Sequence, residues 1–197
     1  MLEKNSTHTV EISGYSSEGM GVARVDDMVV FVKNALMGER CEIKILRVTK
    51  NSAYAKVERV IEPSPARAEP DCPVYGRCGG CALRHMSYEE ELNFKLRRVN
   101  DALQRIGGLE LSAREILANP SVERYRNKGQ YAVGVRDGRA VTGFYRPRSH
   151  ELIPVTECLI QDPASDMVAE AVRGWMDDFR VPAYDETDGT GIVPVPQ

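Results

Sequence analysis

The sequence predicts an α+β protein, with a small β-barrel first and a mixed α/β region built around a metal centre after it. Three observations predict this. Residues 8–61 form a run of short segments rich in Val, Ile and aromatics and broken by glycine. Three cysteines then fall within ten residues, and two amphipathic helical stretches follow them.

The barrel segments are HTVEISGY, GVARV, MVVFVKN, ERCEIKILRVT and SAYAKVERVIE. The breaks fall at Gly14, Gly19, Gly21, Asp26-Asp27, Gly38 and Asn51-Ser52. Short strands at this spacing with turn signals between them suggest an antiparallel barrel. EPSPARAEPD, with Pro63, Pro65 and Pro70, breaks helix and strand alike. The domain boundary is placed there: barrel 1–62, linker 63–71 and second domain 72–197.

In the second domain, SYEEELNFKLRRVNDALQRIGG predicts a helix. Ser87 and Glu90 form a capping box, and Gly107-Gly108 closes the helix. Tyr88, Leu92, Leu96, Val99, Leu103 and Ile106 supply its apolar face, with Lys95, Arg97, Arg98 and Arg105 on a solvated one. NKGQYAVGV and RAVTGFY flank Arg136-Asp137-Gly138 and predict a hairpin, to which HELIPV adds a third strand. A second helix is expected over about 163–179, with Asp162 as N-cap and Pro163 at the first helical position. Met167, Val168, Ala171, Val172, Trp175, Met176 and Phe179 give it a broad apolar face, and Trp175 is read as core. The tail AYDETDGTGIVPVPQ reads as a turn with the start of another strand.

Net charge is −3, so nothing global announces a nucleic-acid or membrane partner. The average hides an asymmetry. Residues 121–150 hold seven basic side chains against two acidic ones, and 161–197 hold eight acidic against two basic. No apolar run approaches the ~20 residues needed to span a bilayer. MLEKNSTHTVEIS lacks the hydrophobic stretch of a signal peptide, so a cytoplasmic location without membrane contact is expected. Five cysteines in a reducing compartment argue for metal rather than disulfides.

DCPVYGRCGGCALRH is a Cys-x5-Cys-x2-Cys arrangement in which Gly79-Gly80 lets the backbone wrap closely around a centre. Soft thiolates suit an iron–sulfur cluster or zinc, and the spacing leans towards the cluster. A cuboidal cluster takes four thiolates, so a fourth must come from elsewhere. Cys41 lies mid-strand and reads as a small buried hydrophobe. Cys158, in TECLIQDP beside a helix start, is placed to close a site with Cys72, Cys78 and Cys81. His85 is an alternative ligand by proximity, though more simply structural.

The order barrel, DCPVYGRCGGCALRHMSYEEEL, helix, ERYRNKGQYAVG and GFYRPRSHELIPVTECLIQDP resembles the N-terminal half of the iron–sulfur RNA uracil-C5 methyltransferases, whose best known members act on large-subunit (23S) rRNA. The resemblance runs from about residue 8 to 191. It implies an OB-like, RNA-binding TRAM barrel, then a domain holding a [4Fe–4S] cluster on Cys72, Cys78, Cys81 and Cys158. It also implies S-adenosylmethionine as methyl donor. The family's reaction is attack of a catalytic cysteine on C6 of a flipped uracil, methyl transfer to C5 and loss of the C5 proton. No GxGxxG lies at a strand-to-helix junction. The sequence-based expectation is therefore that the Rossmann-like methyltransferase domain is absent and that this chain binds no S-adenosylmethionine. Catalytic residues would lie in a missing C-terminal domain. The chain would be a truncation, a frameshift product or one half of a split enzyme whose methyltransferase domain is separately encoded. It would not be catalytic alone, and the alternatives are a stand-alone RNA-binding module or a zinc-stabilised ribosome-associated protein.

The remaining activity expected is RNA binding. Arg124, Arg126 and Lys128 alternate along an extended segment and are expected on one face, where Arg146 and Arg148 would meet them. Tyr125 and Phe144, interleaved with these cations, are candidates for stacking on unpaired bases.

Overall fold

The structure is a computed structural model and describes residues 2–185 and 188–193. The chain forms two compact units. One comprises Met1–Pro70 with Ala82–Ala118, the other Asp71–Cys81 with Asn119–Gln197.

The first unit contains six strands: β1 (Thr7–Glu11), β2 (Gly14–Tyr15), β3 (Gly21–Val25), β4 (Met28–Lys33), β5 (Arg40–Val48) and β6 (Ser52–Glu62). They form one sheet in the order β1-β5-β6-β4-β3-β2. All pairings are antiparallel except β4 with β6, which run parallel, so the expected all-antiparallel barrel is corrected at one seam. Ser13 N–H donates to the Val22 carbonyl at 2.8 Å, joining the chain beyond β1 to β3 and curling the sheet. Alternation selects the inner face: Val30, Val32, Cys41, Ile43 and Ile45 have no exposed surface and pack with Val10, Ile12, Ala53 and Ala55. Burying each of the larger side chains contributes roughly 1.5–3 kcal/mol. The β3–β4 turn works because Asp26 and Asp27 both adopt left-handed φ, +48° and +62°, which aspartate tolerates better than most residues.

The sequence placed 72–197 in a single second domain, whereas the helix α1 (Tyr88–Asp101) belongs to the barrel unit. Phe94 is its buried residue, edge-on to Tyr15 with ring centroids 5.5 Å apart. The predicted apolar stripe is accordingly displaced, leaving Val99 and Ile106 exposed. Half of the expected capping box forms. Ser87 Oγ accepts from Glu90 N–H at 3.3 Å, while Ser87 N–H donates to the Ala66 carbonyl and Glu90 pairs with Arg97. Beyond α1 the helix widens to a π turn over Ala102–Ile106, and Gly108 (φ +63°) lies beyond its end.

The linker is tied down by a buried ion pair. Glu39 has no exposed surface and receives Arg67 at 2.5 and 2.7 Å and the Leu36 N–H at 2.9 Å. Burial alone would raise the Glu39 carboxyl, but the Arg67 and backbone hydrogen bonds outweigh it and hold the pKa below the ordinary value. His85 is also buried; loss of hydration, followed by the Arg67 charge, pushes its pKa down to about 4.

The second unit contains β7 (Ala132–Arg136), β8 (Arg139–Tyr145) and β9 (Leu152–Pro154), antiparallel in that order, and the helix α2 (Pro163–Phe179). Asp137 and Gly138 take left-handed φ of +53° and +76°, giving the two-residue hairpin turn that Asp-Gly announces. Asp162 caps α2 by accepting from Ala164 N–H at 2.9 Å, with Pro163 at the helix start as predicted. Asp177 accepts from Ala140 N–H at 2.8 Å, fastening α2 to β8. Only Ala169 and Met176 of α2 are buried. Trp175 is 47% exposed, and Val168 and Phe179 are more so, which corrects the reading of Trp175 as core. Among the described residues of the tail, Ala183 bridges Val193; the rest of the expected strand lies outside them.

Candidate functional site

The cysteine loop and Cys158 lie in the same unit. The loop is wound by tight turns, Tyr75 N–H to the Cys72 carbonyl at 3.0 Å and Cys78 N–H to the Val74 carbonyl at 2.9 Å. Gly79 N–H donates to the Tyr145 carbonyl at the end of β8 at 3.0 Å. A Cβ on Gly79 would stand 2.7 Å from that carbonyl oxygen, so only glycine lets the loop lie this close to the hairpin.

Cys72, Cys78, Cys81 and Cys158 are all reduced and half-buried, with part of each reachable from solvent. Burial pushes the Cys78 thiol above its ordinary pKa; a hydrogen bond from Gly80 N–H opposes this, and the fields of Cys158 and Cys72 add to it. Among the described residues no three His, Cys, Asp or Glu side chains converge as ligands to one metal ion. A cuboidal cluster spreads its four thiolates over four irons, a wider spacing than convergence on a single ion demands. Four half-buried thiols gathered in one unit are the number of thiolates a cuboidal cluster takes, and they are soft enough for zinc as well. Cys41, by contrast, is buried in the barrel core with its thiol pushed up to about 11 by burial and then by the Glu39 charge, as suits a small core residue. His85 is buried in the barrel unit and belongs to a different compact unit from the cysteines.

The expected single face of Arg124, Arg126 and Lys128 is corrected. Arg124 adopts a left-handed φ of +55°, which breaks the alternation, and its guanidinium turns to the chain around Cys158. It donates to the Cys158 carbonyl at 2.9 Å and to Asp166 at 2.7 Å, and it pairs with Glu157. Arg126 joins Gln161 in a parallel bridge through the backbone and leaves its side chain exposed, as does Lys128. Tyr125 is 55% exposed. Phe144 packs against Tyr131 with centroids 5.0 Å apart, and Arg146 pairs with Glu151 at 2.6 Å. Arg148 is exposed at the β8–β9 turn. An open groove of about 690 Å3 runs past Gly79, Gly80, Gln130, Phe144, Tyr145 and Arg148, so the cysteine loop and the hairpin share one cleft.

The sequence did not single out Asp166. It lies in the first turn of α2, where an acid reads as a partner of the helix dipole. In the fold it accepts from Tyr131 Oη at 2.5 Å, Arg124 at 2.7 Å and Cys158 N–H at 3.2 Å. Burial and then the Asp166 hydrogen bond push the Tyr131 phenol well up.

Residues 2–57 match the TRAM domain. The chain is 42% identical to an RNA methyltransferase of Clostridium tetani over 96% of its own length and 41% of that protein's. It is 40% identical to one of Clostridium acetobutylicum, over 98% and 42%. The chain thus spans about two-fifths of the length of the curated relatives it matches. Its fold superposes on the Pyrococcus abyssi tRNA (uracil-54, C5)-methyltransferase in complex with S-adenosyl-L-homocysteine, with a TM-score of 0.63 at 21% identity. That match covers 93% of this chain and 40% of the other.

These matches correct two expectations. Nearly the whole chain superposes on two-fifths of a methyltransferase chain, so the fold class that set this chain apart from such a fold does not stand. Likeness to RNA methyltransferases over 96% of the chain likewise overturns its reading as an RNA-binding portion or module separate from catalysis. The reason is physical. A missing GxGxxG reports one phosphate-binding turn, not a fold, and the place where a sequence stops carries no chemistry.

Proposed function

We propose that the chain serves an S-adenosylmethionine-dependent RNA uracil-C5 methyltransferase, in the cytoplasm, with large-subunit rRNA as substrate. In this reading the TRAM barrel and the basic hairpin hold RNA. Cys72, Cys78, Cys81 and Cys158 carry a [4Fe–4S] cluster, and S-adenosylmethionine supplies the methyl group. The observation that carries the proposal is 42% identity to an RNA methyltransferase along almost the full chain. The four half-buried thiols gathered in one unit support the cluster, and the cleft shared by cysteine loop and hairpin supports the RNA surface. Arg126, Lys128 and Arg148 neutralise phosphates, and Tyr125 offers a stacking face. Arg146 and Phe144 contribute after releasing Glu151 and Tyr131, and Arg124 acts from behind by fixing the Cys158 loop.

Deleting the gene that encodes this chain and mapping 5-methyluridine in rRNA and tRNA by mass spectrometry tests the assignment. Loss of one 5-methyluridine from large-subunit rRNA is expected. Loss from tRNA instead would replace the substrate, and unchanged methylation of both would overturn the function.

A further inference from the structure

We propose that Asp166, acting with Arg124 and Tyr131, is the positioning residue that presents Cys158 as the fourth ligand of the cluster and sets the cluster's electronic environment. This rests on the cluster reading above and deepens it.

Cys158 is gripped at both of its backbone polar groups. Its N–H donates to Asp166, at 3.2 and 3.3 Å to the two carboxylate oxygens, and its carbonyl accepts from Arg124 at 2.9 Å. The grip is closed, because Arg124 also donates to Asp166 at 2.7 Å and Tyr131 Oη donates to it at 2.5 Å. The Asp166 side chain is only 13% exposed, so these bonds work with little competition from water. Arg124 holds a left-handed backbone that side chains other than glycine rarely adopt. It persists there with its own N–H on the Leu159 carbonyl at 2.9 Å and its guanidinium on Cys158, Asp166 and Glu157. Strain kept in place by this many bonds around one loop cysteine is what a fixed ligand requires. Tying α2 to the loop would need one of these bonds; the arrangement instead immobilises the Cys158 backbone and holds its half-buried, reduced sulfur at one place.

The charge matters as well as the position. A carboxylate one hydrogen bond from a ligand opposes adding an electron to an anionic cluster. It also occupies the Cys158 N–H, which cannot then donate to a cluster sulfur; such donation raises the potential. Neutralising Asp166 therefore makes the cluster easier to reduce.

The test uses the full chain, reconstituted anaerobically with ferrous iron and sulfide, as wild type and as Cys158→Ser, Asp166→Asn, Asp166→Ala and Tyr131→Phe. Iron and sulfide content, visible circular dichroism, midpoint potential and the rate of iron release to a chelator are read, with far-ultraviolet circular dichroism as the folding control. Both Asp166 variants should load iron, release it roughly tenfold faster or more, alter the visible dichroism and shift the potential to less negative values. Tyr131→Phe, which keeps the carboxylate and removes a donor to it, should quicken iron release by less and should not shift the potential to less negative values. Should Asp166→Ala fail to fold, the isosteric Asp166→Asn decides. Asp166 variants with wild-type potential, dichroism and release, beside a Cys158→Ser that has lost its iron, would overturn the inference while leaving the cluster reading intact. A wild-type chain that takes up no iron and sulfide, or only zinc, would overturn the cluster reading and this inference with it.

Discussion

Glu39 keeps a charge where it has no contact with water, and Arg67 is what makes that tolerable. Removing one partner of such a pair strands the other. Glu39→Gln should therefore cost about 3–5 kcal/mol, read as a lowered urea midpoint followed by far-ultraviolet circular dichroism. His85 adds a pH dependence of defined sign. Its folded pKa of about 4 lies below the ordinary 6.5, so the unfolded chain binds the proton more readily. The stability this contributes is complete above about pH 6.5 and is lost as pH falls towards 4, up to roughly 3 kcal/mol. Glu39, also depressed, removes more as pH falls below its ordinary value of 4.5. Urea midpoints measured from pH 7.5 to 4 should fall across that window, and His85→Asn should flatten the upper part of the slope.

Among the elements, those with a local cause were legible in the sequence. Asp137-Gly138 fixes its turn through backbone conformation, and Asp162-Pro163 fixes the start of α2 through capping; both stand where expected. What depended on tertiary partners was not legible. Period alone could not choose Phe94 over Val99 as the residue that α1 buries, because the choice is made by Tyr15 on a distant strand. Nor could alternation reveal that Arg124 leaves its expected face, since its partners Glu157 and Asp166 are far along the chain. Of the candidate site, Cys72, Cys78 and Cys81 were visible through spacing and Cys158 through the family resemblance of its segment, whereas Asp166 was hidden because a first-turn acid already has an ordinary explanation. The difference between Arg124 and its neighbours is measurable. Replacing Arg126 and Lys128 by Ala together should lower the salt slope of single-stranded RNA binding by roughly 0.7 per lost phosphate contact. Arg124→Ala should leave that slope unchanged, because its charge is committed to Asp166 and Glu157. Titrations of the chain with a fluorescently labelled single-stranded RNA at several salt concentrations would check both.

At the scale of the whole molecule, two compact units divide the labour. One is a barrel with its own core, into which the linker and α1 are bound. The other is a small sheet and helix in which Gly79 and Gly80 of the cysteine loop line one cleft with the basic hairpin. Hydrophobic weight is unevenly shared between them. The barrel buries Val30, Val32, Ile43 and Ile45 completely, while α2 leaves Val168, Trp175 and Phe179 exposed.

The exposure of Trp175 turns the chain into its own optical gauge. It is the sole tryptophan and lies in the second unit, so intrinsic fluorescence near 350 nm watches that unit while the barrel stays dark. Far-ultraviolet dichroism sums over both. Glu39→Gln should shift the barrel's share of the dichroism transition and leave the fluorescence transition in place, whereas Asp166→Ala should shift the fluorescence transition together with the second unit's share of the dichroism. A Glu39→Gln variant that shifts both signals together would mean that the two units melt as one.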